Sequence, residues 1–172
     1  MRAWMLLTLL AGDDFKLEPG FTLLFNGKSL DGWKEASGKK EALDGKTEAF
    51  GGRFKVVEGR LALDPDVKGD LHIETAKAFA KDVHVKFDIK AGAKCNNDLF
   101  LRGTKFDIVL GKNVKEGEWQ AFEIVVSGDR IEHKIGGESA RAATLKPDAA
   151  ATPFRIRAEF GALEIKNLRF KE

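Results

Sequence analysis

The chain of 172 residues contains no tyrosine, three histidines, four prolines and one cysteine. A single cysteine cannot close an internal disulfide, and Cys95 stands in no Cys/His spacing that would hold zinc. Cys95 is therefore expected to be a structural or incidental thiol. An excess of one charge is also missing: 29 Lys and Arg stand against 27 Asp and Glu, a net charge of +2. That gives no field able to collect phosphates along a surface, so nucleic acid is not an expected partner. No apolar run is long enough to span a bilayer. Phosphate loops, dinucleotide fingerprints and zinc-protease motifs are absent. Ser29 lies in a turn without the strand-turn-helix setting of a hydrolase nucleophile.

The composition is globular, 43% hydrophobic and 33% charged, and 18 glycines suit a chain with many turns. Met1-Arg2, an apolar stretch from Ala3 to Leu10 broken by Thr8, and Ala11-Gly12 read as a short secretion signal. The alternatives for this stretch are an N-terminal apolar strand or a mis-assigned start codon. Residues 1–14 are thus expected to be a signal segment preceding one domain over 15–172, exported to the periplasm or beyond. The sequence names no protein partner.

From residue 15 onward apolar residues alternate with polar ones, the period of half-buried strands. Val83 to Lys90 is the clearest case, with apolar side chains at every odd position, and Phe154 to Phe160 and Leu163 to Phe170 repeat it. Phe54 to Leu63, Leu99 to Arg102, Phe106 to Leu110, Ala121 to Val126 and Arg130 to Ile135 add short strands, separated by turns such as Glu58-Gly59 and Ser127-Gly128-Asp129. This pattern predicts an all-β, antiparallel β-sandwich or jelly roll. Glu74 to Lys81 is the one stretch that could pass for a helix, and Lys34 to Arg53 and Gly136 to Thr152 read as long loops.

Gly20-Phe21-Thr22-Leu23-Leu24-Phe25-Asn26-Gly27-Lys28-Ser29-Leu30-Asp31-Gly32-Trp33 resembles the opening signature of the 3-keto-disaccharide hydrolase domain family. Further segments resemble that family in order: Phe54 to Leu61, Gly69 to Thr75, Asn96 to Gly103, Gly117-Glu118-Trp119-Gln120, and Ile165 to Lys171. The resemblance implies a concanavalin A-like lectin/glucanase fold, a carbohydrate ligand, and cleavage of a 3-keto or related glycoside. The chain departs from the family where Asn-Ser-Gly becomes Asn96-Asn97-Asp98, where Asp107-Ile108-Val109 lacks the expected glutamine, and where Arg157 and Glu159 stand for glutamine and histidine.

Alternation places the candidate site. With Leu99, Leu101, Phe106, Ile108, Phe154, Ile156 and Ala158 facing the core, Asp98, Phe100, Arg102, Asp107, Arg157 and Glu159 take the opposite face, as does Lys86 on its own strand. A ketone at sugar carbon 3 acidifies the neighbouring proton, so Asp107 is the expected base, Arg102 the partner of the enolate oxygen and Glu159 the acid. Asn97, Asp98, Phe100 and Arg157 are the expected substrate-binding residues. No cofactor is expected, although the oxygens of Asp98, Asp107 and Glu159 suit calcium or magnesium. The same residues also fit cross-strand ion pairs on a solvated face, worth about 0.2–1 kcal/mol each. A non-catalytic carbohydrate-binding module and a structural interaction domain therefore remain alternatives to the enzyme. Trp33 and Trp119 are expected in the core rather than stacked on a sugar.

Overall fold

Two antiparallel sheets face each other in the computed structural model, which describes residues 15–111, 113–146 and 150–172; the signal segment expected over 1–14 lies outside the described residues. The five-stranded sheet is built from β2 (Trp33–Glu35), β6 (Leu71–Phe79), β13 (Thr152–Phe160), β8 (Asn96–Leu101) and β9 (Thr104–Val109), in that order. The nine-stranded sheet runs β12 (Glu138–Thr144), β11 (Arg130–Ile135), β10 (Trp119–Ser127), β7 (Val83–Ala91), β14 (Leu163–Lys171), β5 (Arg60–Leu63), β4 (Phe54–Val57) and β3 (Glu48–Ala49), with β1 (Thr22–Leu23) pairing beside β14. No helix occurs among the described residues, and none is long and apolar enough to cross a membrane.

The core forms where the alternating apolar faces meet. Val85, Phe87 and Ile89 on β7 and Phe122 and Ile124 on β10 are buried against Leu99, Leu101, Phe154 and Ile156 of the other sheet. Phe87 and Phe154 bridge the sheets with ring centroids 6.1 Å apart, and Trp33 meets Phe154 edge-on at 6.4 Å. Trp33 is buried, and its indole N–H donates to the Leu24 carbonyl at 2.7 Å, which satisfies its one polar atom. Cys95 is also buried, where desolvation pushes its thiol up, as befits a packing residue rather than a nucleophile.

Four expectations are corrected. Glu74 to Lys81 is not helical: all of it up to Phe79 belongs to β6, a central strand paired on both sides by β2 and β13. Two ladders of hydrogen bonds outweigh a helix tendency two turns long. The long-loop reading fails for both stretches: Lys34 to Arg53 takes in the end of β2 and all of β3, paired with β6 and β4, and Gly136 to Thr152 contains β12, an exposed edge strand paired with β11. Lys86 does not share a surface with Arg157: a sandwich has two outer faces, and Lys86 lies on the nine-stranded one, 3.2 Å from Glu18. Trp119 is only half-buried on that same outer face, with the ammonium groups of Lys166 and Lys90 at 4.3 and 5.2 Å from its ring centroid.

Candidate functional site

The outer face of the five-stranded sheet carries two rows of polar side chains set by strand register. His72, Arg157, Asp98 and Asp107 stand side by side across β6, β13, β8 and β9. Beside them run Lys34, Glu74, Arg155, Phe100 and Lys105. Arg157 is the hub. Its Nε and Nη2 donate to the two oxygens of Asp70 at 2.7 and 2.6 Å, its Nη1 donates to Asp98 at 2.8 Å, and Nη2 lies 3.2 Å from Glu159. These bonds raise the Arg157 pKa, and the same fork holds the Asp70 carboxyl below its usual range. Arg155 holds Glu74 through Nε and Nη2 at 2.9 and 2.7 Å, with Lys34 at 3.3 Å. His72 lies 3.3 Å from Asp70, and burial lowers its pKa, which favours the neutral ring.

The structure brings Asp98, Arg157 and Glu159 together, with Phe100 half-buried in the neighbouring row, 6.1 Å from the His72 ring. It does not bring Arg102 to Asp107. Leu101 pairs with Thr104, so Arg102 and Gly103 are the two central residues of the β8–β9 hairpin, with φ of 50° and 73°. Arg102 therefore leaves the strand, and its guanidinium donates to the Ala80 carbonyl at 2.8 Å. It stands four residues past Asp98, about 13 Å of extended chain from the row that holds Asp107. Asp107 itself lies 2.6 Å from the Lys105 ammonium, which holds its carboxyl below the usual range. Asn97 faces the other way from a ligand: it is fully buried, accepting the Glu159 N–H at 2.8 Å and donating to the Phe160 carbonyl at 2.9 Å. It clamps β8 to β13 where their register shifts between Arg157 and Phe160.

Among the described residues no group of three His, Cys, Asp or Glu side chains is arranged to hold a metal. Asp98 and Asp107 are cross-strand neighbours, but Lys105 reaches both, at 3.6 and 2.6 Å, and Arg157 lies between Asp98 and Glu159.

At one end of the sandwich this charged face runs into a cleft of about 920 Å³. Its walls are the β5–β6 connection from Pro65 to Asp70, Ala93 and Lys94 before β8, and Glu159, Phe160 and Gly161 at the β13–β14 turn. Phe160 is 60% exposed there, the most exposed of the large apolar side chains among the described residues. Gly161, at φ 70°, lets the turn pass the Lys94–Cys95 backbone, where a Cβ would come within 2.5 Å. The cleft also reaches Arg53, which is buried. Sequence reasoning passed over Asp70, Glu74, Lys105, Arg53 and Phe160. Alternation carries a signal for Glu74 and Lys105, whereas Arg53 and Asp70 lie outside the strands and Phe160, at the end of β13, is exposed beyond the register shift, so the three meet only through tertiary packing.

The 3-keto-alpha-glucoside-1,2-lyase-like domain family matches residues 20–113, more than half of the chain. No curated protein matches it. Solved structures share the fold. A proposed glycosyl hydrolase from Parabacteroides distasonis is 18% identical, with a TM-score of 0.66 over 88% of this chain and 93% of that one. The carbohydrate-binding module CBM66 from Bacillus subtilis is 11% identical, with a TM-score of 0.55 over 83% of this chain and 96% of that one. The β-glucanase of Bacillus licheniformis is 9% identical, with a TM-score of 0.52 over 91% and 94%. These likenesses place the sandwich among jelly-roll folds of the lectin and glucanase kind. With the opening motif from Gly20 to Trp33, the β4–β5 hairpin and the β6 and β8 segments all inside the matched span, the chain belongs to the 3-keto-alpha-glucoside-1,2-lyase-like domain family.

Proposed function

We propose that the chain binds a glycoside in the end cleft and cleaves it by elimination from a 3-keto sugar. The observation that carries this reading is the meeting of Glu159, fixed by Arg157 at 3.2 Å, with the exposed ring of Phe160 in one cleft of about 920 Å³. A sugar face stacks on an aromatic ring, and a carboxylate beside it can move a proton. Glu159 takes the proton from sugar carbon 2, which the ketone at carbon 3 acidifies. The released electron pair forms the carbon 1–carbon 2 double bond, the carbon 1–oxygen bond breaks, and Glu159 returns the proton to the departing oxygen. Lys68 and Lys94, which line the same cleft as Arg53, are cations available to the enolate oxygen. Addition of water to the product gives net hydrolysis.

The test offers 3-keto and ordinary disaccharides to the parent protein and to Glu159→Gln, following product release and affinity together. Turnover confined to the 3-keto substrate is expected, falling about 10²–10⁴-fold in Glu159→Gln while binding persists. Unchanged turnover in that variant removes Glu159 from the mechanism.

A second reading, a binding module without chemistry, is favoured by the pairing of Asp70, Glu74, Asp98, Asp107 and Glu159 with cations across the sheet face. It predicts affinity without turnover of either substrate. We also propose export, with the mature chain starting near residues 12–15, on the basic start and apolar run of the first residues. Mass spectrometry of the natively expressed protein decides it, and a retained Met1 on a cytoplasmic species refutes it.

A further inference from the structure

Three side chains with full charges are buried among the described residues of this protein, and two of them have counter-charges. Glu74 has Arg155 and Lys34; Asp98 has Arg157 and Lys105. The third, Arg53, is 2% exposed and makes no ion pair among the described residues. Its Nη1 donates to the Asp64 carbonyl and its Nη2 to the Glu159 carbonyl, both neutral acceptors, and its Nε has no partner. The carboxylates nearest in charge are committed elsewhere, Asp64 to Lys55 at 2.7 Å and Asp70 to Arg157 at 2.6 Å. Asp64 and Asp70 act on Arg53 only through space, and a guanidinium held out of water with no carboxylate in contact is a costly arrangement; an unmade hydrogen bond beside it points to a missing group. Arg53 lines the end cleft, where Phe160 offers a ring to a sugar.

We propose that the cleft selects a glycoside bearing a carboxylate, a uronic acid or its equivalent, whose anion takes the open donor side of Arg53 while its ring rests on Phe160. This rests on the reading of the cleft as a sugar site. A planar carboxylate suits a guanidinium in both charge and shape, and the desolvated site would make the anion a strong discriminator against neutral sugars.

The experiment measures calorimetric affinity for four ligands: p-nitrophenyl α-glucuronide, its methyl ester, p-nitrophenyl α-glucoside and the 6-sulfated glucoside. The parent protein is expected to bind the glucuronide at least about ten-fold tighter than the ester or the glucoside, because a hydrogen-bonded charge in a desolvated site is worth that much or more. Arg53→Gln is expected to level the free acid and the ester. The ester makes the test on the ligand side, so the proposal stays falsifiable if Arg53→Gln fails to fold. Equal affinity for acid, ester and glucoside overturns the proposal and leaves the sugar cleft standing. Tighter binding of the sulfated sugar than of the glucuronide overturns the choice of carboxylate. Binding of none of the four overturns both the inference and the sugar cleft it rests on.

Discussion

Replacing Arg157 by Met should show how far the charged sheet face depends on its hub. Asp98 is 1% exposed, and the substitution removes its 2.8 Å partner, leaving only Lys105 at 3.6 Å. Breaking a buried pair by deleting one member costs about 3–5 kcal/mol, since the remaining charge stays out of water. Lys105 supplies some compensation, which puts the expected loss near the lower end, about 3 kcal/mol. The fork to Asp70 adds little, because that carboxylate is half-exposed and surface pairs are worth about 0–1 kcal/mol. For a domain of this size the loss corresponds to a fall of about 6–12 °C in Tm. The assay is thermal and urea unfolding at neutral pH of Arg157→Met, Asp98→Asn and the double variant. Once Asp98 is neutral no buried charge is orphaned, so the double variant should cost less than the sum of the single ones by about 1–3 kcal/mol. A loss below about 1 kcal/mol in Arg157→Met, or strict additivity, would refute the account of a desolvated pair.

Other outcomes follow from single residues. His133 is buried between the rings of Phe106 and Phe122 with Nε2 unpartnered, and desolvation lowers its pKa from 6.5 to about 4. Protons thus bind the unfolded chain first, so stability should fall as pH drops from 6.5 to about 4 and level off below, by about 3 kcal/mol in all; His133→Leu should flatten this limb in pH-dependent urea titrations. Glu18 shifts in the same direction for a different reason, its carboxyl lowered from 4.5 to about 2 by hydrogen bonds from Arg169 and, less strongly, Lys86. Its contribution is complete above pH 4.5 and lost as pH falls through about 2, and Glu18→Gln should remove that acid-range component from the unfolding profile. Gly161→Ala combines a positive φ with a Cβ 2.5 Å from the Lys94–Cys95 backbone, and should cost about 2–4 kcal/mol and perturb the cleft, read by unfolding and by ligand affinity; a neutral effect would mean that the turn relaxes freely.

How much was legible in the sequence depended on whether the deciding interaction was local. Alternation at Val83 to Lys90, Phe154 to Phe160 and Leu163 to Phe170 marks strands because a period of two can bury one face only in a sheet, and the motif from Gly20 to Trp33 carries the family. The same alternation assigns Asp98, Arg157 and Glu159 to the side away from the core, and their register brings them within reach of one another. Pairing on both edges turned the helix-like Glu74 to Lys81 into part of a central strand, and a two-residue hairpin carried Arg102 away from Asp107. The sequence by itself determined the all-β class, the regularly alternating strands with their buried faces, and the family, all set by neighbours along the chain. Only the tertiary structure decided that Arg157 gathers three acids, that Asn97 is a buried clamp, and that Arg53 and Phe160 share a cleft. Those contacts join residues tens of positions apart, and no local pattern encodes which distant partner will meet a charge as it leaves water.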